Sequence, residues 1–179
     1  MDELIDILTH EGKPTGKTAL KSIAHQMGWY HATVHVWFYT KNHTLLLQKR
    51  GAYKKTYPNR WDVSVAGHVH AGESILDAAV REVKEEIGLT IQKADLKKIA
   101  IRKGERSHPN GIQDHEFYHV FLVELKSELS TLKKQDDEID DLQLFDFSLL
   151  KSTNKRILLV PNTSDYYQFV LSKIADIIE

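Results

Sequence analysis

GHVHAGESILDAAVREVKEEIGL, running from Gly67 to Leu89, sets the reading of the whole chain. Its centre, Ser74 to Ile87, has the spacing of an amphipathic helix, and Gly88 is its stop. Successive residues on an α-helix turn by about 100°. With Glu82 at zero, Glu86 falls at roughly 40° and Glu85 at roughly −60°, while Leu76, Ala79, Val80, Val83 and Ile87 fall between roughly 60° and 160°. One side of this helix is expected to pack on a sheet, with three carboxylates ranged beside it.

Such a cluster opposes helix stability. Like charges four residues apart destabilise a helix by roughly 0.2–0.5 kcal/mol per pair. All three acids also sit toward the C-terminal end, where the helix dipole disfavours anions. The simplest compensation is a bound divalent cation. Oxygen ligands in this number suit Mg²⁺ or Mn²⁺, with substrate phosphates completing the shell. Arg81 lies four residues before Glu85 and is placed to brace it. Taken alone, EVKEE reads at least as well as a solvated acidic face, and the surrounding pattern has to separate the two.

Outward from this helix, HATVHVWFYT (His31 to Thr40) alternates Val34, Val36 and Phe38 against His35, Trp37 and Tyr39, the period of a strand. TLLLQKR (Thr44 to Arg50) and WDVSVAG (Trp61 to Gly67) read as further strands, joined by the basic loop GAYKKTYPNR. Strands resume at Lys98–Lys103 and Glu116–Leu125, with the polar run GERSHPNGIQDH read as a long loop between them. KKQDDEIDD (Lys133 to Asp141) reads as an acidic loop and LQLFDF as a short strand. Ser164 is placed to cap a last helix over 164–178, with Tyr167, Val170, Leu171, Ile174 and Ile178 on one face. The segment 1–28 is mixed, and EGKPTGK (Glu11 to Lys17) reads as a loop or hairpin turn. The expected class is α+β, an α/β/α sandwich on a mixed central sheet, in one domain spanning 1–179.

Composition narrows the chemistry. The 179 residues carry a formal net charge of −1, which argues against a nucleic-acid polymer or a membrane surface as partner. There is no cysteine, which removes disulfides, thiolate metal sites and thiol nucleophiles. Ten histidines leave nitrogen and oxygen as the available metal ligands. MDELIDILTHEGK has no basic leader running into an apolar core, and no stretch is long enough to span a bilayer, so a cytoplasmic protein is expected.

From Gly67 the sequence reads glycine, five residues, Glu73, seven residues, then REVKEEIGL. This resembles the Nudix box, G-x5-E-x7-R-E-U-x-E-E-x-G-U, with U apolar. All seven fixed identities are present, as Gly67, Glu73, Arg81, Glu82, Glu85, Glu86 and Gly88, and both apolar positions match as Val83 and Leu89. The resemblance implies a metal-dependent hydrolase of diphosphates linked to another moiety. It implies Glu82, Glu85 and Glu86 as metal ligands, the Gly67 carbonyl and Glu116 as further ligands, and Glu82 as first choice of water-activating base. Glu116 and Glu138 compete for that role. Arg81 is placed in the catalytic set, and Glu73 and Gly88 in the structure of the box.

The flanking sequence LLLQKRGAYKKTYPNRWDVSVAGHVHAGE resembles the Nudix branch that includes isopentenyl diphosphate isomerase and isomerase-like hydrolases. That likeness implies Arg50 and Lys54 as the grip on the substrate's diphosphate, for which a guanidinium fork and an ammonium point charge are suited. It also implies a second metal site for Zn²⁺ or Mn²⁺ from His31, His68, Glu116, Asp114 and His25, the last offset by one residue. Where isomerases carry a catalytic cysteine this chain has Ala66, and all three box glutamates remain. The reading is a hydrolase of small organic diphosphates on an isomerase-like scaffold, with isomerase or non-catalytic binding module as the alternatives. Trp29, Tyr30, Trp37, Tyr53, Tyr57 and Trp61 are expected near the pocket or in the core.

Overall fold

Two-residue periodicity in the apolar stretches produces a seven-stranded sheet, and the acidic helix covers one of its faces. The computed structural model describes residues 2–151, 158–161 and 165–178. The sheet contains β3 (His31–Tyr39), β4 (Thr44–Arg50), β5 (Trp61–Asp62), β6 (Val65–His68), β7 (Lys97–Ser107), β8 (Gln113–Glu124) and β9 (Ile139–Asp146). Its main path is β5-β4-β3-β8-β7, with β6 on β3 and β9 on β4. The β3–β8 pair is parallel and the rest are antiparallel, so the sheet is mixed, as expected.

The alternation along β3 sorts two cores. Val34, Val36 and Phe38 point with Phe121 and Val123 toward α2 (Ile75–Ile87), which contributes Ala79, Val83 and Ile87. Trp37 and Tyr39 point with Val120 and Leu122 toward α4 (Tyr166–Ile178), which contributes Tyr166, Val170 and Ile174. This is the α+β sandwich. Ser164, the expected cap of the last helix, lies outside the described residues.

Before the sheet, β1 (Leu4–Leu8) and β2 (Pro14–Leu20) pair as a hairpin, and α1 (Lys21–Met27) follows. The turn expected over EGKPTGK occupies only its first residues, because the chain is strand from Pro14. The hairpin is tied to the loop before α2, through Ala71 N–H to the Leu4 carbonyl and Gly72 N–H to Asp6. It thereby carries α1 against the sheet.

Three further expectations change. GERSHPNGIQDH is mostly strand, since β7 runs to Ser107 and β8 starts at Gln113. Its polarity arises because alternate residues face solvent and a cavity, so no apolar stripe marks it. The strand expected over WDVSVAG splits into β5 and β6. LQLFDF is the end of a strand that begins three residues earlier, at Ile139, inside the acidic run. A short helix, α3 (Phe147–Lys151), follows it. No helix among the described residues is long and apolar enough to cross a membrane.

On the α4 side, the helix covers the Trp37 end of β3. Toward Thr33 and His35 the same face is open and floors a cavity of about 810 Å³.

Candidate active site

The acidic helix supplies one wall of that cavity. Ser74 caps α2 by accepting the Asp77 N–H, and Gly88 ends it at φ 69°, a left-handed conformation that favours glycine. The buried face is rolled from the one expected. Leu76 is 39% exposed, while Ala78, Glu82 and Glu86 are buried with Ala79, Val83 and Ile87. The helix therefore presents two of its acids inward.

Glu82 lies against Gly67, where a Cβ would sit 1.9 Å from the Glu82 carboxyl carbon. Only glycine lets the β6 backbone approach the carboxylate so closely. Glu86 accepts from Gln48 Nε2 at 3.0 Å and from Ala66 N–H at 3.2 Å. Arg81 donates to both oxygens of Glu73 at 2.9 Å, to the His68 carbonyl at 2.8 Å, to Glu82 at 2.8 Å and to Glu85 at 3.0 Å. One guanidinium thus joins the loop to the helix and holds two box glutamates in place. Glu73 also accepts the His70 N–H at 3.0 Å, which fixes the loop.

Two buried acids face one arginine, and that charge balance is incomplete. Burial pushes the Glu82 carboxyl up to about 7, against the opposing pull of Arg81. Burial, reinforced by Glu82, also pushes Glu86 well above the usual carboxylate range. A divalent cation reverses both effects, because it favours the ionised form of every carboxylate it touches. The donor set therefore fits Mg²⁺ or Mn²⁺.

A second cluster occupies another corner of the cavity. The ligand atoms of His25 on α1, His31 on β3, His68 on β6 and Glu116 on β8 lie within 4.8 Å of one another. His31 Nδ1 is hydrogen-bonded to the Trp29 carbonyl at 2.9 Å, so its proton sits on that nitrogen. Nε2 is left as a buried lone pair with no hydrogen-bond partner, 3.6 Å from Glu116. A backbone carbonyl orienting one imidazole nitrogen while the other faces the cluster is how protein metal sites hold histidine. Burial, with His31 next in weight, keeps His68 well below its ordinary value, in the neutral form that ligates. Asp114 stands one layer back. Its oxygens lie 3.0 Å from His25 Nδ1 and 2.6 Å from His108 Nε2, so it orients His25 rather than joining the four.

The two cations expected to grip phosphate both line the cavity, and both are already paired. Arg50 donates to Asp62 at 2.9 Å and, through Nε and Nη2, to the Thr56 carbonyl. Lys54 is ion-paired with Glu138 across the mouth.

Of the aromatic residues expected near the pocket, only Tyr57 lines it. Trp37 is fully buried under α4, Tyr53 is exposed, and Trp61 packs on Phe145. The sequence reading missed Thr33, His35, Arg106 and Tyr118, all of which line the cavity. Their only sequence signal is that polar residues occupy alternate positions of a strand, which equally describes a solvated face.

Comparison with known proteins agrees with this geometry. A NUDIX domain family model matches residues 29–166. The chain is 38% identical over 141 residues to an uncharacterized Nudix hydrolase of Clostridium acetobutylicum, covering 77% of this chain and 67% of that one. It is 30% identical over 175 residues to isopentenyl-diphosphate Delta-isomerase 2 of Photorhabdus laumondii, covering 97% and 91%. A crystal structure from Deinococcus radiodurans superposes with a TM-score of 0.68 at 20% identity, over 96% of this chain and 98% of that one. With the family model matched over residues 29–166 and Glu82, Glu85 and Glu86 in place on α2, the chain belongs to the Nudix hydrolase family.

Proposed function

We propose that this protein hydrolyses the diphosphate linkage of a small organic diphosphate by attack of water on phosphorus, with Mg²⁺ or Mn²⁺ as cofactor. The observation that carries this reading is the pair Glu82 and Glu86, adjacent on α2, nine-tenths buried and short of positive charge. Glu82, Glu85, Glu86 and the Gly67 carbonyl are the groups that would hold the cation, which when bound neutralises phosphate oxygens and acidifies water. Arg81 keeps Glu82 and Glu85 in register with the loop and leaves their remaining oxygens to the cavity. Glu82 is our choice for the group that takes the proton of the attacking water, because it is held closest to the β6 backbone and cannot swing away. Arg50 and Lys54 are assigned to the distal phosphate. Each must exchange a carboxylate partner, Asp62 or Glu138, for substrate.

The histidine corner favours a second metal, Zn²⁺ or Mn²⁺, on His25, His31, His68 and Glu116, with Asp114 behind His25. The same corner is what an isomerase scaffold would retain, yet Ala66 occupies the place of the thiol and the chain has no cysteine. Incubation with isopentenyl diphosphate and Mg²⁺ separates the readings. Phosphate release is the expected result, and double-bond migration would replace this proposal with the isomerase. A panel of nucleoside diphosphate derivatives tests the activity itself. Product release that is lost with chelator and with Glu86→Gln is expected, and no release from any diphosphate would leave only a binding module.

A further inference from the structure

Gln48 is a polar residue on an apolar face. Side chains alternate along β4, so Leu46 and Gln48 point the same way, and Leu46 packs under α2 with Val34, Val36 and Val83. Two residues on, the same stripe carries an amide that is 3% exposed. Burying an amide is unfavourable unless its hydrogen bonds are made. A carboxylate only accepts, so the amide turns its nitrogen to Glu86, and Nε2 donates to Glu86 Oε2 at 3.0 Å.

The sheet explains why that bond is needed. The register of β3 with β4 is a single pair, Tyr39 with Leu45. Beyond it the two strands part, with β6 pairing to β3 and β5 to β4. Ser64, between β5 and β6, bridges the start of the split by accepting the Phe38 N–H and donating to the Leu46 carbonyl. Glu86 bridges it further along. Its Oε2 takes Gln48 from the β4 side and the Ala66 N–H, at 3.2 Å, from the β6 side. Both donors fall on one oxygen. Oε1 has no partner among the described residues and is open to the cavity that Glu86 lines. Both donors are also neutral. A lysine or arginine at position 48 would grip the same oxygen but offset the charge a cation needs, and a leucine would leave the carboxylate free to turn.

We propose that Gln48 is a positioning residue for Glu86, which by pinning Oε2 makes Glu86 a one-oxygen ligand and so favours Mg²⁺ over Ca²⁺. Mg²⁺ demands a compact octahedral shell, whereas Ca²⁺ accepts larger shells in which a carboxylate gives both oxygens. The inference rests on the placement of the cation in the hydrolase reading above. The test uses the full chain. Calorimetry with Mg²⁺ alone and with Ca²⁺ alone reads the affinities, and the diphosphate panel with Mg²⁺ reads cleavage. Gln48→Met keeps the length and removes the donor. It is expected to lower Mg²⁺ affinity by about 10–100-fold and the ratio of Mg²⁺ to Ca²⁺ affinity by about tenfold. The KM of a cleaved diphosphate at saturating Mg²⁺ should stay within about twofold, since no phosphate contact is removed. Gln48→Glu is expected to lower the ratio further, because a second free carboxylate favours the larger ion, and it decides alone if Gln48→Met does not fold. Ser64→Ala loosens the same split without touching Glu86, and is expected to leave the ratio unchanged. Equal weakening of both ions, an unchanged ratio, or the same change in Ser64→Ala overturns the role of Gln48, and the hydrolase stands if the wild type cleaves a diphosphate. If the wild type binds Mg²⁺ but cleaves nothing, the hydrolase reading falls, and the ratio in the variants still decides for or against Gln48. If the wild type takes up neither ion, both fall.

Discussion

Glu82, Glu85 and Glu86 come from little more than one turn of α2, whereas His25, His31, His68 and Glu116 come from four separate elements. Both groups open on the same cavity, and their charge states differ. Glu82 and Glu85 are held by Arg81 and Glu86 by Gln48 and the Ala66 N–H, and the group remains short of positive charge, so it calls for a cation. The histidines have a neutral member in His68 and one carboxylate among them, and they stay compatible with folding whether or not an ion is bound. The proposed hydrolysis therefore depends on the acidic helix, while the histidine corner is the more separable of the two.

The largest expected effect tests that dependence. Glu86→Gln keeps the shape and an acceptor for the Ala66 N–H but removes a charge from the cation set. Steady-state kinetics on a cleaved diphosphate with Mg²⁺ should show kcat lower by roughly 10²–10³-fold, with far-UV dichroism unchanged. A loss of under tenfold would put the hydrolytic cation elsewhere.

Arg81→Met tests the organiser. It removes one partner of a buried network and leaves Glu73 and Glu82 facing each other without a cation between them. Denaturant unfolding of the metal-free protein should show about 3 kcal/mol lost.

The metal-free protein should also respond to pH. The Glu82 carboxyl is raised from 4.5 to about 7 in the fold, so between those values the native state binds more protons than the unfolded chain. Stability is then fully present below the unfolded value and is lost as pH rises through about 7, by up to about 3 kcal/mol from this group. Saturating Mg²⁺ should abolish the slope. Buried His68, kept below its ordinary value, works in the opposite sense over the same range. The test is therefore the difference between the metal-free wild type and Glu82→Gln, and a melting-temperature difference that stays constant from pH 4.5 to 7 would contradict the burial argument.

The smallest effect is expected from the histidine corner. His31→Ala should weaken uptake of Zn²⁺ or Mn²⁺ by about 10–100-fold, while Mg²⁺-dependent hydrolysis changes less than in Glu86→Gln. Equal losses of hydrolysis in the two variants would merge the corners into one centre.

Much of this was legible before folding. The helix from Ser74 to Gly88, the strands β3 and β4, and the spacing of the box glutamates are local patterns, fixed by a period of 3.6 or 2 and by caps. The hairpin of β7 and β8 was less so, since its residues 104–115 face water and cavity and carry no apolar stripe. The roll of α2 that hides Glu82 and Glu86 and exposes Leu76 was also not readable. It depends on how closely β6 approaches, and the absence of a Cβ at Gly67 sets that distance.

By itself the sequence determined that Glu82, Glu85 and Glu86 gather on one stretch of helix, because residues one turn apart are neighbours in any α-helix. It also determined the absence of thiol chemistry, because no residue can supply it. Only the tertiary structure decided that His25 of α1 joins His31, His68 and Glu116, that Arg50 and Lys54 already hold carboxylate partners, and that Thr33, His35, Tyr118 and Arg106 share one floor. Those residues lie far apart along the chain, and their meeting depends on strand register and on which part of a sheet face a helix leaves uncovered.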